Sequence, residues 1–186
     1  MTRLCIVSDS HRQRHELLSA VKSVPRLTAI LHAGDEVEDA RWLAQRVDWP
    51  IYAVAGNWDV ATEEFPQERI IDGFGPRIFL THGHRWKVKE GIQHIAHRAN
   101  ECQADIVVFG HTHTAVSVLM DGLLIVNPGS LAAPRGRRER TFAVLDIERG
   151  NGDKEAYTVK VAFYTRHGEL ADGQLRTSIR PFRTIR

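Results

Sequence analysis

Arg3-Leu4-Cys5-Ile6-Val7-Ser8-Asp9-Ser10-His11 begins as an apolar run and stops abruptly at hydroxyl, carboxylate and imidazole groups. Arg3 to Val7 reads as a β-strand that delivers Ser8 to His11 to a loop. The same arrangement recurs four times. Thr28 to Leu31 runs into His32-Ala33-Gly34-Asp35, and Ile51 to Val54 into Ala55-Gly56-Asn57-Trp58-Asp59. Arg77 to Leu80 runs into Thr81-His82-Gly83-His84, and Asp105 to Phe109 into Gly110-His111-Thr112-His113. In an open α/β sheet, ligands bind beyond the carboxyl ends of the strands. Placing all five clusters at such ends brings them to one rim.

The segments between the clusters agree with that architecture. Leu17, Leu18, Val21 and Val24 recur at helical spacing across Arg14 to Val24, and Pro25 follows as a stop. Ala40, Leu43, Ala44 and Val47 suggest a second helix, closed by Pro50, and Gly91 to Cys102 a third. Helices between strands predict adjacent parallel strands. Two hairpins add an antiparallel part, one around Asp72-Gly73-Phe74-Gly75-Pro76 and one across Asp121-Gly122. Thr141 to Ile147 and Ala156 to Tyr164 read as closing antiparallel strands around a Gly150-Asn151-Gly152 turn. The predicted fold is α/β: two packed sheets, each partly parallel and partly antiparallel, with helices outside.

The 186 residues suit one domain with a sizeable core. No apolar run approaches the roughly 20 residues that span a bilayer, and the N-terminal run is too short for a signal peptide. Cys5 falls in a strand and reads as a small core hydrophobe, so no disulfide framework is expected beside Cys102. The expected compartment is the cytoplasm. A formal charge of +2 is too small to argue for nucleic acid by itself.

Ten histidines are the compositional oddity, and their positions are informative. Asp9, His11, Asp35, Asn57, His82, His111 and His113 form a mixed oxygen and nitrogen set suited to hard or borderline divalent metals. Manganese is the first expectation, with Fe, Zn, Ni, Co or Mg as alternatives. No cysteine contributes, which excludes a structural thiolate zinc site. Seven donors exceed what one ion takes while leaving room for substrate. Two divalent ions about 3.5–4 Å apart would use them, generating a bridging hydroxide and stabilising an in-line displacement at phosphorus.

With Asp-x-His, Gly-Asp, Gly-Asn-x-Asp, His-Gly-His and Gly-His-Thr-His in order from Asp9 onward, the chain resembles the calcineurin-like metallophosphoesterases. Among them it is similar to the small bacterial and archaeal YfcE-like phosphodiesterases. The resemblance implies a four-layer α/β/β/α sandwich and hydrolysis of phosphodiesters, with monoesters as further substrates. It also implies that Asp9, His11 and His113 hold one metal, that Asn57, His82 and His111 hold the other, and that Asp35 joins them. In larger protein-phosphatase relatives a histidine follows the asparagine and acts as general acid. Here Trp58 stands in that place. Leaving-group protonation then falls to water or His84, or good leaving groups are needed. Asp59 is expected to orient His11 or another ligand, and His32 to support a neighbouring ligand. Asn127-Pro128-Gly129-Ser130 also matches the family and is expected to form a tight loop beneath the site.

Arg135-Gly136-Arg137-Arg138-Glu139-Arg140 places four arginines in six positions, and Arg135 is the candidate for binding the substrate phosphate alongside Asn57. Beyond the single domain expected over 1–165, residues 166–186 read as a basic tail, partly disordered. Arg166, Arg176, Arg180, Arg183 and Arg186 there face only Glu169 and Asp172. The expected partner is a small-molecule phosphodiester. Nucleic acid tracking these arginines, or a protein-interaction scaffold of the same fold, are the alternative readings. A homo-oligomer is compatible with the sequence, and no membrane partner is expected.

Overall fold

Along the first strand the side chains divide by parity, and the division sets the layers. Leu4 and Ile6 pack inward with Leu31, Leu80, Val108, Val126 and Leu145 from both sheets. Cys5 and Val7 point the other way, against Leu17, Ala20, Val21 and Leu43 of two helices. Successive side chains on a strand face opposite sides, so each central strand is buried on both faces and reads as a continuous apolar run.

The computed structural model describes residues 1–150 and 156–179, the side chains of 172–176 and 178 excepted. Its elements are β1 (Thr2–Val7), α1 (Arg14–Lys22), β2 (Ala29–His32), α2 (Val37–Ala44), β3 (Ile51–Ala53), β4 (Glu68–Ile71), β5 (Ile78–Thr81), a 3₁₀ turn at His84–Trp86, α3 (Gln93–Glu101), β6 (Ile106–Val108), β7 (Ala115–Met120), β8 (Leu123–Pro128), β9 (Thr141–Arg149), β10 (Tyr157–Thr165) and β11 (Leu170–Ile179). One sheet has the order β11-β10-β9-β1-β2-β3 and the other β4-β5-β6-β8-β7. The pairs β1–β2, β2–β3, β5–β6 and β6–β8 are parallel. Both expected hairpins form, β4 with β5 and β7 with β8.

Helices α1 and α2 cover the outer face of the first sheet, and α3 covers the outer face of the second, where Ile95, Ala96 and Ala99 meet Phe79, Val107 and Ile125. The result is the expected four-layer α/β/β/α sandwich. Each fully buried leucine or valine in these layers contributes about 1.5–3 kcal/mol. Both cysteines are free, and Cys5 lies in the core. No helix among the described residues is long and apolar enough to cross a membrane.

The sheet does not end at residue 165. β11 pairs antiparallel with β10 from Tyr157↔Ile179 to Tyr164↔Leu170, across two register shifts. Much of the segment read as a basic tail is therefore an edge strand. Arg166 binds Glu16 on α1 at 2.9 Å. Asn151 and Gly152 of the expected turn, the Arg176 side chain, and Arg180, Arg183 and Arg186 lie outside the described residues.

Candidate metal centre

Parallel register carries the polar clusters to one place. Val7 lies beside His32 and His32 beside Ala53, so the loops after β1, β2 and β3 emerge together. Leu80 lies beside Val108, so the loops after β5 and β6 do the same on the facing sheet. Two bonds join the loops across the sandwich. The His111 amide donates to Asp9 Oδ2 at 3.1 Å, and His82 Nδ1 lies 2.7 Å from Ala33 O.

Close approach here depends on glycine. A Cβ on Gly56 would overlap Asp35 Oδ1 and sit 2.5 Å from the Asp35 amide nitrogen. One on Gly110 would overlap Ser8 Oγ and sit 2.8 Å from Asp9 Oδ2. Asp9, His11, Asp35, His111 and His113 themselves have φ of 51°, 40°, 57°, 65° and 59°. That left-handed region is sparsely occupied by non-glycine residues, although Asp and His enter it more readily than most.

Two groups of donors have ligand atoms within 4.8 Å of one another: Asp9, His11 and His113, and Asp9, Asp35 and His82. A carbonyl oxygen can only accept, so Nδ1–H of His82 donates to Ala33 O and Nδ1–H of His113 donates to Ala133 O at 2.7 Å. In the neutral tautomer so fixed, each Nε2 presents a lone pair to the site. His113 Nε2 is 3.1 Å from Asp9 Oδ1, His82 Nε2 is 3.3 Å from Asp35 Oδ1, and His82 Nε2 is 3.2 Å from Asn57 Oδ1. His11 Nε2 and His113 Nε2 are 3.5 Å apart. Lone pairs facing lone pairs at these distances repel unless positive charge lies between them. Asp9 Oδ1 is buried and forms no well-aligned hydrogen bond, which is uncommon for a buried carboxylate. The donor set therefore fits divalent cations.

Acid–base behaviour carries the same imprint. Burial pulls His82 down, but Asp35 and Asp9 outweigh it and raise its pKa. His113 is raised chiefly by Asp9. Burial favours a neutral Asp35, yet His82, the Trp58 amide and His11 together bring its pKa below the ordinary value. The Asp35 carboxyl thus feels imidazoles from both halves. Desolvation, then His82, depress His111 to about 4 and also lower His84.

All seven expected donors line this rim. Asn57 is exposed there, and the His111 ring centroid is 5.1 Å from that of His82. His84 stands 5.4 Å from His82 and 6.1 Å from His111, with its Nδ1 buried and unpartnered. Arg135 is exposed, and its amide donates to His113 O. Asp59 does not orient His11. Its carboxylate accepts from the amides of Gly56, Glu36 and Val37, tying the Asn57 loop to the start of α2. His32 is buried between Gly34 N and Ser10 Oγ. Ser130 Oγ donates to Asp9 O, and Asn127 bonds Gly110 O and Thr112. His15, His94, His97 and His167 are exposed elsewhere.

Two supports escape the sequence reading. Ser8 Oγ donates to Asp9 Oδ2 at 2.6 Å. Asp39, fully buried on α2, accepts from Ser10 Oγ, the Arg12 amide and Arg14 Nε. In sequence, Asp39 resembles an ordinary acidic residue of a first helical turn. Its one signal is its place between the apolar positions Val37 and Ala40.

The family description "calcineurin-like phosphoesterase superfamily domain" matches residues 2–150. A Bacillus subtilis protein named probable metallophosphoesterase YsnB is 35% identical over 176 residues, covering 94% of this chain and 98% of its own. Phosphodiesterase YfcE of Escherichia coli is 30% identical over 105 residues, about 52% of each chain. The crystal structure of a predicted phosphoesterase from Streptococcus pneumoniae superposes with a TM-score of 0.76 at 29% identity, covering 95% of this chain and 97% of that one. The chain belongs to the calcineurin-like phosphoesterase superfamily and is a metal-dependent phosphoric ester hydrolase.

Proposed function

We propose that the protein hydrolyses phosphodiesters at a dinuclear centre. The observation that carries this reading is the buried Asp9 Oδ1, which forms no well-aligned hydrogen bond while Nε2 of His113 and of His82 converge on it at 3.1 and 3.9 Å. Asp9, His11 and His113 would hold one divalent ion, and Asn57, His82 and His111 the other. Asp35, whose carboxyl senses His11 as well as His82, would join them. Two such ions, with manganese first among the alternatives, supply Lewis-acid stabilisation of phosphoryl oxygens and lower the pKa of water.

The chain's own groups do the remainder. Nδ1–H bonds to Ala33 and Ala133 fix the ring orientation of His82 and His113, so their Nε2 atoms are held ready. The Asn57 amide and the guanidinium of Arg135, whose backbone amide is bonded to His113 O, would hold the non-bridging oxygens of a phosphate bound at the rim. His84 lies beside His82 and His111 and would be the side chain to hydrogen-bond the departing oxygen. With Trp58 in place of an imidazole after Asn57, the site suits diesters with good leaving groups.

Purified protein with Mn²⁺ should hydrolyse bis-p-nitrophenyl phosphate. His111→Ala and Asp35→Asn should each abolish that hydrolysis, and full activity in either variant would overturn the two-metal reading.

A further inference from the structure

Beside the His11–His113 half of the centre lies an open cleft of about 420 Å³, lined by His11, Arg12, Glu36, Trp58, His113, Ala132 and Ala133. Trp58 is 74% exposed there. A large aromatic left in water next to metal-binding side chains gains nothing from burial in the fold itself. Yet it is held firmly. Its amide donates to Asp35 Oδ1, and its ring meets His11 edge to face, centroids 5.5 Å apart at 71°. The Ala132–Ala133 part of the lining is fixed as well. The amides of Ala132 and Ala133 both donate to Ser130 Oγ, which in turn donates to Asp9 O. One side is therefore tied to the Asp35 carboxylate and the other to the backbone carbonyl of Asp9.

Charge narrows the occupant. Arg12 is the cation lining the cleft, and its guanidinium is paired with Glu36 at 3.1 Å. A second phosphate would find that charge already neutralised. What the cleft offers is an indole face, two alanine methyl groups and room for a flat group. We infer that Trp58 and Ala132–Ala133 form a subsite that stacks an aromatic arm of the substrate, either an aryl ester or a nucleobase. The inference rests on the phosphodiester reading for where the phosphorus sits, and it narrows the substrate class to diesters that carry such an arm.

Titration calorimetry on the Mn²⁺-loaded protein tests the subsite without turnover. Phenylphosphonate is compared with methylphosphonate, and adenosine 5′-monophosphate with ribose 5-phosphate. Within each pair the phosphorus group is matched and the aromatic group differs. Wild type should favour the aromatic member by about tenfold, as base–aromatic stacking does elsewhere. Trp58→Ala should reduce that preference below about twofold, and Trp58→Phe should keep most of it. A preference in the first pair assigns a directly attached aryl group; one confined to the second assigns a nucleobase. Ratios near one in both pairs, or a preference that survives Trp58→Ala, overturn the subsite. Absence of bis-p-nitrophenyl phosphate hydrolysis would refute the phosphodiesterase reading separately and leave both ratios measurable. Failure of all four ligands to bind would overturn the subsite, while hydrolysis of bis-p-nitrophenyl phosphate would still decide the phosphodiesterase reading.

Discussion

Replacing Asp59 by alanine should unclamp two loops of the metal centre at once. Asp59 Oδ2 accepts from Gly56 N at 2.9 Å, and Oδ1 accepts from Glu36 N and Val37 N at 3.1 and 3.0 Å. The last two amides begin α2, which has no side-chain cap of its own. Asp59 therefore caps α2 from another loop, placing a carboxylate at a helix N-terminus. A hydrogen bond to a charged group contributes about 1.5–3 kcal/mol when its partners are cut off from water. Asp59 is half-buried, so water recovers part of each bond. A net loss of about 1 kcal/mol per amide gives about 3 kcal/mol in all. With a urea dependence of about 2–3 kcal/mol per molar, the unfolding midpoint should fall by about 1–1.5 M. Asp59→Asn keeps one acceptor oxygen and should lose less. The assay is urea unfolding followed by circular dichroism on EDTA-treated protein, with Mn²⁺ titration in parallel. A midpoint within about 0.3 M of wild type, together with unchanged Mn²⁺ affinity, would refute the clamp.

Two further outcomes follow from the same geometry. Gly56→Ala drives a methyl group into Asp35 Oδ1 and against the Asp35 amide, so Mn²⁺ affinity should fall at least tenfold, roughly the cost of disturbing a ligand's support; calorimetry showing wild-type affinity would contradict this. Burial holds His111 near pKa 4 in the folded chain against an ordinary 6.5. Between those pH values the unfolded state binds a proton that the folded state refuses, so stability falls as pH drops through that window. The urea midpoint of metal-free wild type should decline relative to His111→Ala from pH 7 to pH 4.5, and a constant difference would count against that assignment.

Much of the fold is legible in the sequence because its central strands are short apolar runs that end in glycine-bearing polar clusters. β1, β2, β5 and β6 are buried on both faces, so tertiary context and local pattern demand the same residues. β11 is different. Leu170-Ala171-Asp172-Gly173-Gln174-Leu175-Arg176 lacks a sustained apolar alternation, and the strand lies at a sheet edge. It is held in the sheet by its ladder to β10, so neither propensity nor periodicity announces it. The role of Asp59 was hidden for another reason. Proximity in sequence to Asn57 suggests a partner among the ligands, whereas its carboxylate turns toward the amides of a helix that starts 22 residues earlier.

The site was legible as a list of donors, but its backbone was not. Gly34-Asp35 and Gly110-His111 read as turns in which glycine takes the unusual conformation. In the structure Gly34 does so, yet Asp35, His111, His113, Asp9 and His11 adopt positive φ as well. Each such residue costs on the order of 1 kcal/mol against a relaxed backbone, and glycine at those positions would remove the cost. Asp9 and Asp35 also accept bonds that hold the loops together, from Ser8 Oγ, the His111 amide and the Trp58 amide. The strain persists because these side chains must reach the rim from the first residues of sharp turns, with their backbone amides facing inward: the His111 amide on Asp9 Oδ2, the Asp9 amide on Gly34 O. Glycine at these positions would relax the backbone but remove both the donor atoms and the bonds that Asp9 and Asp35 accept between loops, so the strain is held in place by the side chains themselves.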